Sequence, residues 1–95
     1  MFEIKISFLS LLADATGIED TTLLIEDNAT IKDILKHLIE KFGKKFENII
    51  MTSPNTLSKY IILSLNGKDV RSSDYLDMYI HDGDEITFLP AIAGG

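Results

Sequence analysis

The segment IKDILKHLIEKF, residues 31–42, has the clearest periodic pattern in the chain. Its apolar residues recur every three or four positions and therefore share one face of a helix: Ile31, Ile34, Leu35, Leu38, Ile39 and Phe42. Thr30 followed by Asp33 predicts a capping box at the start of this helix. Gly43 stands where a C-terminal cap belongs. A helix with one apolar face needs an apolar surface to cover.

The residues before the helix predict that surface as a β-hairpin. Apolar and polar residues alternate from Phe2 to Phe8, which is typical of a strand with one face on a core. Residues 21–25 form a second β-prone run, and Gly17 and Asp20 mark a turn between the two runs. The short connection favours antiparallel pairing.

The residues after the helix predict three more strands. Residues 60–65 are followed by Asn66 and Gly67, a dipeptide typical of tight hairpin turns, and residues 68–70 return as a short strand. A turn over residues 82–84 precedes the last strand, residues 85–89.

The order of these elements predicts the architecture. Phe46, Ile49, Ile50 and Met51 suggest one more helical or extended turn, which the Ser-Pro-Asn at 53–55 interrupts, so residues 44–58 are expected to form a loop that packs partly on the core. A helix that follows a hairpin and returns to a mixed sheet predicts a two-layer α+β domain over residues 1–89. Pro90 lacks a backbone N–H and is expected to discourage further pairing, which makes residues 90–95 an extended tail.

Composition narrows the function. The chain has 95 residues, 45% of them hydrophobic, which suits one small globular domain. It has no cysteine, which excludes disulfides, thiolate nucleophiles and cysteine-based metal sites. The net charge of −6 argues against nucleic acid and anionic membranes as partners. Without a secretory signal pattern or an apolar run of about 18 residues, a cytoplasmic location is expected.

Other polar side chains give weak signals. His37 on the polar flank of the helix is expected at the surface, and His81 has no Ser or Cys nearby in sequence for a nucleophilic triad. Asp82, Asp84 and Glu85 resemble the start of a calcium loop, but apolar residues stand where the later ligands belong. A solvated turn is the better interpretation.

Charge is distributed unevenly along the chain. Five lysines follow the helix and are expected to form a solvated face: Lys32, Lys36, Lys41, Lys44 and Lys45. The last third is acidic, and Asp74, Asp77 and Asp82 are hypothesised to flank the tail and steer it towards a basic cleft in a partner.

Three stretches carry a family resemblance: residues 65–70 (LNGKDV), residues 82–86 (DGDEI) and residues 88–95 (FLPAIAGG). With the order of elements, they resemble the ubiquitin-like sulfur carriers, most closely the small subunit of molybdopterin synthase, and are similar to archaeal small modifier proteins. The resemblance implies a β-grasp fold with a mixed sheet of four to five strands packed on one main helix. It also implies that the first and last strands are parallel neighbours. Residues 44–58 have no clear match.

The same resemblance implies a reactive terminus. The α-carboxylate of Gly95 has an ordinary pKa of about 3.5, so it is ionised at neutral pH and needs activation before it can react. The implied route is adenylation by an enzyme similar to ubiquitin-activating enzymes, which uses ATP and a metal, followed by conversion to a thiocarboxylate. Gly94 lacks a Cβ and would let the tail thread a narrow channel. The chain itself is expected to bind no cofactor and to be no enzyme on its own.

The implied partners are the activating enzyme and the large subunit of molybdopterin synthase, which contains the catalytic residues and within which the pterin precursor of the molybdenum cofactor receives the sulfur. Phe88, Pro90 and Ile92 are the candidate docking residues. Core packing is the alternative for Phe88, and simple tail composition is the alternative for Ile92. Two other functions stay open: a ubiquitin-like modifier joined through Gly95 to lysines of other proteins, and an inert adaptor that binds through its sheet.

Overall fold

A five-stranded mixed sheet is the centre of the computed structural model, which describes residues 1–53, 56–71 and 74–91. Its strands are β1 (Phe2–Phe8), β2 (Asp20–Ile25), β5 (Ile61–Leu65), β6 (Lys68–Asp69) and β7 (Glu85–Pro90). Their spatial order is β2-β1-β7-β5-β6. A separate two-stranded sheet pairs β3 (Met51–Ser53) with β4 (Thr56–Leu57).

The pairing of β1 with its neighbours confirms the predicted topology. β1 is antiparallel to β2, with Ile4 opposite Leu23, and parallel to β7, with Phe8 opposite Phe88. β5 and β6 are joined by Asn66 and Gly67, whose φ angles of 52° and 86° are those of the tight turn that this dipeptide predicts. The first and last strands are therefore parallel neighbours at the centre of the sheet.

One main helix, α2 (Ile31–Phe42), covers a face of the sheet as expected. Its start is capped by Asp33, whose carboxylate accepts hydrogen bonds from the Thr30 backbone N–H at 2.9 Å and from the Thr30 hydroxyl at 3.2 Å. Its end is fixed by Gly43, whose N–H donates to the Ile39 carbonyl. The apolar stripe on α2 packs on the inner side chains of the sheet, and Ile4, Ile34 and Leu38 are completely buried.

Two segments differ from the sequence-based prediction. α1 (Leu11–Thr16) was not expected, because a helix of six residues is too short to show a period and buries only Leu12. The segment expected to be a loop contains regular structure: Lys44–Ile50 form the helix α3, in line with the suggested helical turn, and bury Phe46 and Ile50, and the β3–β4 pair follows. The apolar residues of α3 keep the spacing of three or four residues that runs through Phe42, but the backbone of Gly43, with a φ angle of 88°, ends α2 between them.

A 3-10 turn, Tyr75–Asp77, completes the structure before β7. It packs beside the start of α2, where the Met78 carbonyl accepts the Ile31 N–H at 3.0 Å. Ile80 N–H donates to the Ala29 carbonyl in the same region. These bonds place the segment before β7 at the N-terminal end of α2. The C-terminal end of α2 lies near the end of β7, because Phe42 and Phe88 both contact Phe8.

Candidate functional site

The end of β7 is where the chain leaves the sheet, and two other segments are hydrogen-bonded to it. The Leu9 N–H donates to the Phe88 carbonyl at 3.0 Å, on the β1 side. The Ala91 N–H donates to the Tyr60 carbonyl at 2.7 Å, on the β5 side. We call this region, formed by residues 9–11, 60 and 89–91, the exit surface. The residues that follow Ala91 leave the described structure at this surface.

Pro90 belongs to the sheet and not to the tail, which corrects the predicted boundary at residue 89. It lies opposite Ile61 of β5. The carbonyls of Asp84 and Phe88 face β1, so the missing N–H of Pro90 also falls on the β1 side, where β1 has already ended. Proline therefore closes the parallel ladder and leaves the antiparallel ladder with β5 intact as far as Ala91. The position fixes where the parallel ladder ends.

Three residues of the exit surface have exposed apolar side chains. Leu9 is 46% exposed, Leu11 is 70% exposed and Tyr60 is 61% exposed. An apolar group that stays in water gains nothing from the fold, and such groups gathered in one region are typical of a contact with another protein. Sequence reasoning missed all three residues. The available signal was the run of apolar residues after Phe8, of which a six-residue helix can bury only one face.

Phe88 is not a docking residue, because its side chain is completely buried. Its ring stacks on that of Phe8, with centroids 5.6 Å apart and planes at 17°. Phe46 meets Phe88 edge-on at 6.4 Å, and Phe42 meets Phe8 edge-on at 5.5 Å. These four rings form one aromatic cluster beneath the exit surface. The alternative of core packing is therefore the correct one for Phe88.

Three other predicted site residues, Ile92, Gly94 and Gly95, lie outside the described residues. Their roles in docking, threading and reaction stay predictions. Leu89, Pro90 and Ala91, which precede them, are half-buried.

Two cationic side chains, Lys59 and Arg71, and one carboxylate, Asp69, lie near Tyr60 and Ile61. Lys59 lies with its Nζ 5.3 Å from the centre of the Tyr60 ring. Arg71 Nη1 donates to the Ile61 carbonyl at 3.5 Å, and Nη2 pairs with Asp69 Oδ2 at 2.9 Å. The hydrogen bonds from Arg71 hold the pKa of the Asp69 carboxyl below its ordinary value. This pair fixes the guanidinium beside the first residue of β5.

The acids predicted to flank the tail lie away from the exit surface, and the tail itself lies outside the described residues. Asp82 precedes β7, and its Oδ1 accepts the Glu3 N–H at 2.8 Å. Six residues of extended chain, about 20 Å, separate that point from the end of β7. Asp74 and Asp77 belong to the turn that packs at the start of α2, which is also away from the exit surface.

The two histidines and the acidic turn before β7 are explained by exposure and by hydrogen bonds within the fold. His37 is half-buried and His81 is exposed, with Nδ1 3.9 Å from Asp84 Oδ2. Asp84 accepts hydrogen bonds from the His81 N–H at 2.7 Å and from Asn66 Nδ2 at 3.0 Å. These contacts tie the β5–β6 turn to the start of β7. Within residues 1–53, 56–71 and 74–91, no group of three His, Asp or Glu side chains is placed to hold a metal ion.

An open cavity of about 240 Å³ lies on the side of α2, with Leu35, Ile39 and Leu76 among its apolar lining and Lys32 and Lys36 beside them. None of its lining residues belongs to β7. No helix in the described part of the chain has the length and apolar character needed to cross a bilayer.

Comparison with known proteins gives the family. The ThiS family model matches residues 6–95. Small archaeal modifier protein 3 of Haloferax volcanii is 23% identical over 98% of this chain and 99% of its own length. Sulfur carrier protein CysO of Mycobacterium tuberculosis is 46% identical over 44 residues, which are 46% of this chain and 47% of CysO.

A solved structure extends the likeness to the whole fold. It is the BexX/CysO complex of Amycolatopsis orientalis, matched with a TM-score of 0.73 and 28% identity over 97% of this chain and 99% of that one. Carriers of this family therefore act together with partner proteins. A match over nearly the whole length, joined to a ubiquitin-like β-grasp sheet in which the first and last strands are parallel neighbours, shows that the chain belongs to the ThiS family of small sulfur carriers.

Proposed function

We propose that this chain carries sulfur as a thiocarboxylate on Gly95. The main support is that the family match runs to residue 95 and so includes the terminal Gly-Gly. The proposal requires Gly95 to be the last residue of the mature protein. The exit surface adds a place at which an activating enzyme would dock while the tail enters its active site.

The chemistry takes two balanced steps. A carboxylate oxygen of Gly95 attacks the α-phosphorus of ATP, and pyrophosphate leaves. Hydrosulfide then attacks the acyl carbon, AMP leaves, and the thiocarboxylate is formed. A persulfide that attacks instead also displaces AMP but gives an acyl disulfide, which a thiol reductant cleaves to the thiocarboxylate and a mixed disulfide. The developing charge on the phosphate needs a metal and basic groups, which the activating enzyme would supply. The carrier contributes the terminus and the docking surface.

The proposed acceptor is the pterin precursor of the molybdenum cofactor, bound to the large subunit of molybdopterin synthase. This finer assignment depends on the resemblance at residues 65–70, 82–86 and 88–95. A second candidate is conjugation to lysines, favoured by the likeness to small archaeal modifier protein 3 over 98% of the chain. Both functions begin with the same adenylate, so one chain can serve both.

An intact-mass measurement tests the shared step. The full chain is incubated with its activating enzyme, ATP, magnesium and sulfide. We expect the mass to increase by the difference between sulfur and oxygen, with the gain located on the C-terminal peptide. A second carrier that the same enzyme activates under the same conditions is the positive control. If that carrier gains sulfur and the mass of this chain stays unchanged, the proposal is contradicted. A ladder of heavier conjugates in cells, detected by antibody, separates the modifier function from the carrier function.

The exit surface gives a separate prediction. Leu11→Glu places a charge on the most exposed apolar residue of this surface, and we expect the KM of the activating enzyme for the carrier to rise about ten-fold or more. Tyr79→Glu is the matched control, because Tyr79 is 64% exposed and pairs with Thr30 at the start of α2, away from the exit surface. Steady-state pyrophosphate release measures both variants. Equal KM values for the two would show that the exit surface does not dock.

A further inference from the structure

Strand β2 is one edge of the main sheet, and half of its backbone groups face away from β1. The Phe8 N–H donates to the Glu19 carbonyl, so every second residue from 19, including Thr21 and Leu23, bonds to β1. The backbone N–H and C=O groups of Asp20, Thr22 and Leu24 therefore point outwards. Within the described residues, no backbone group donates to or accepts from these three. The Thr22 carbonyl accepts one weak contact from the Thr21 hydroxyl at 3.4 Å.

The edge lacks most features that protect such strands. β2 contains no proline or lysine, and its register with β1 is unbroken by a bulge. Asp20 at its start is its one charge. Leu24, one of the three residues whose backbone groups point outwards, also has a side chain that is 60% exposed. By comparison, β6 at the opposite edge has only two residues. β2 is thus the one edge in the described sheet long enough to pair with an extended segment.

Acidic residues stand at both ends of β2. They are Glu19 and Asp20 before it and Glu26 and Asp27 after it, all exposed. Two cationic groups lie close to them: the N-terminal amine, 3.2 Å from Asp27 Oδ1, and Lys5, which is opposite Thr22 and 3.9 Å from Glu85. The acids still outnumber the cations around the edge, which favours a basic occupant.

We propose that the open edge of β2 binds a basic, extended segment of another protein, which adds to the sheet as a sixth strand. The backbone groups of Asp20, Thr22 and Leu24 would supply the hydrogen bonds, and Leu24 would contact an apolar side chain of the added strand. The acids at both ends would attract lysine or arginine flanking that strand. This surface is separate from the exit surface, because β1 lies between β2 and β7.

NMR titration of the full chain tests this proposal. The probe is a synthetic peptide of about six alternating Val and Thr residues with two lysines at each end. One control peptide has glutamates in place of the lysines, and another is N-methylated at alternate residues. The diagnostic variant is Thr22→Pro, which removes one outward N–H and no bond to β1. Thr22→Ala is its matched control, because it keeps the N–H.

We expect saturable shifts in the amides of Asp20, Thr22 and Leu24 with the lysine peptide. Binding should weaken about ten-fold or more with either control peptide and in Thr22→Pro, whereas Thr22→Ala binds as the parent does. If Thr22→Pro does not fold, the N-methylated peptide carries the test on the parent chain. Equal binding of the charged peptides, shifts outside β2, no saturation at millimolar peptide, or sedimentation showing that two copies pair through this edge would each overturn the proposal.

Discussion

Removing Gly95, or adding one residue after it, is expected to abolish thiocarboxylate formation and leave the fold unchanged. One residue moves the terminal carboxyl by about 3.5 Å along an extended chain, which is enough to take it away from the α-phosphorus of ATP. Misplacement of a reacting atom by about 1 Å already costs large factors in rate. The fold should tolerate the change, because the last described sheet bond is made by the Ala91 N–H.

The measurement combines intact mass after activation with thermal unfolding of each variant. A residue added before Met1 is the matched control, because it changes the length and not the tail; Met1 is 74% exposed. This control should gain sulfur as the parent does. A variant without Gly95 that still gains sulfur would show that the reactive group lies elsewhere. Loss of sulfur together with a lower unfolding temperature would show that the tail is part of the folded domain.

The sequence predicted the elements whose patterns are long enough to repeat. α2 shows three helical turns of one apolar stripe, and β1 shows alternation over seven residues, so both are recognisable without the structure. Asn66 and Gly67 were informative for a different reason, since few residue pairs adopt two successive positive φ angles.

Short elements could not be predicted in the same way. α1 has six residues and α3 has seven, which is less than two helical turns each. Their positions depend on tertiary contacts: in α3, the Phe46 ring packs edge-on against the stacked rings of Phe8 and Phe88, which are remote from it in sequence. The resemblance to a family did not help either, because residues 44–58 had no match.

The chemistry of the candidate site stays a prediction, and the exposed apolar residues of the exit surface were not predicted. The terminal Gly-Gly can be recognised in the sequence alone, whereas the docking surface depends on which apolar residues the fold leaves exposed to water. Phe88, Leu9 and Leu11 are equally apolar in the sequence, and only packing separates the buried residue from the exposed ones. The acids are a similar case, since Asp82 is near the tail in sequence, but the length of β7 lies between it and the exit surface.

Phe88→Ala is expected to lower the free energy of unfolding by about 3–5 kcal/mol, the usual cost of removing a large buried ring. The Phe88 ring is completely buried and contacts the rings of Phe8 and Phe46, so its loss leaves a cavity in the aromatic cluster. A domain of this size is ordinarily stable by about 5–15 kcal/mol, so this variant can approach the limit of folding. Urea unfolding followed by circular dichroism measures the change.

Two comparisons make this prediction specific to core packing. Tyr60→Ala removes a 61% exposed ring from the exit surface and should change stability by about 0.5 kcal/mol or less while weakening activation. Phe88→Leu keeps most of the buried volume, and we expect it to fold and to be adenylated at the parent's rate. If Phe88 touched the activating enzyme, Phe88→Leu would raise the KM without loss of stability. That result would require the Phe88 side chain to leave the core when the partner binds.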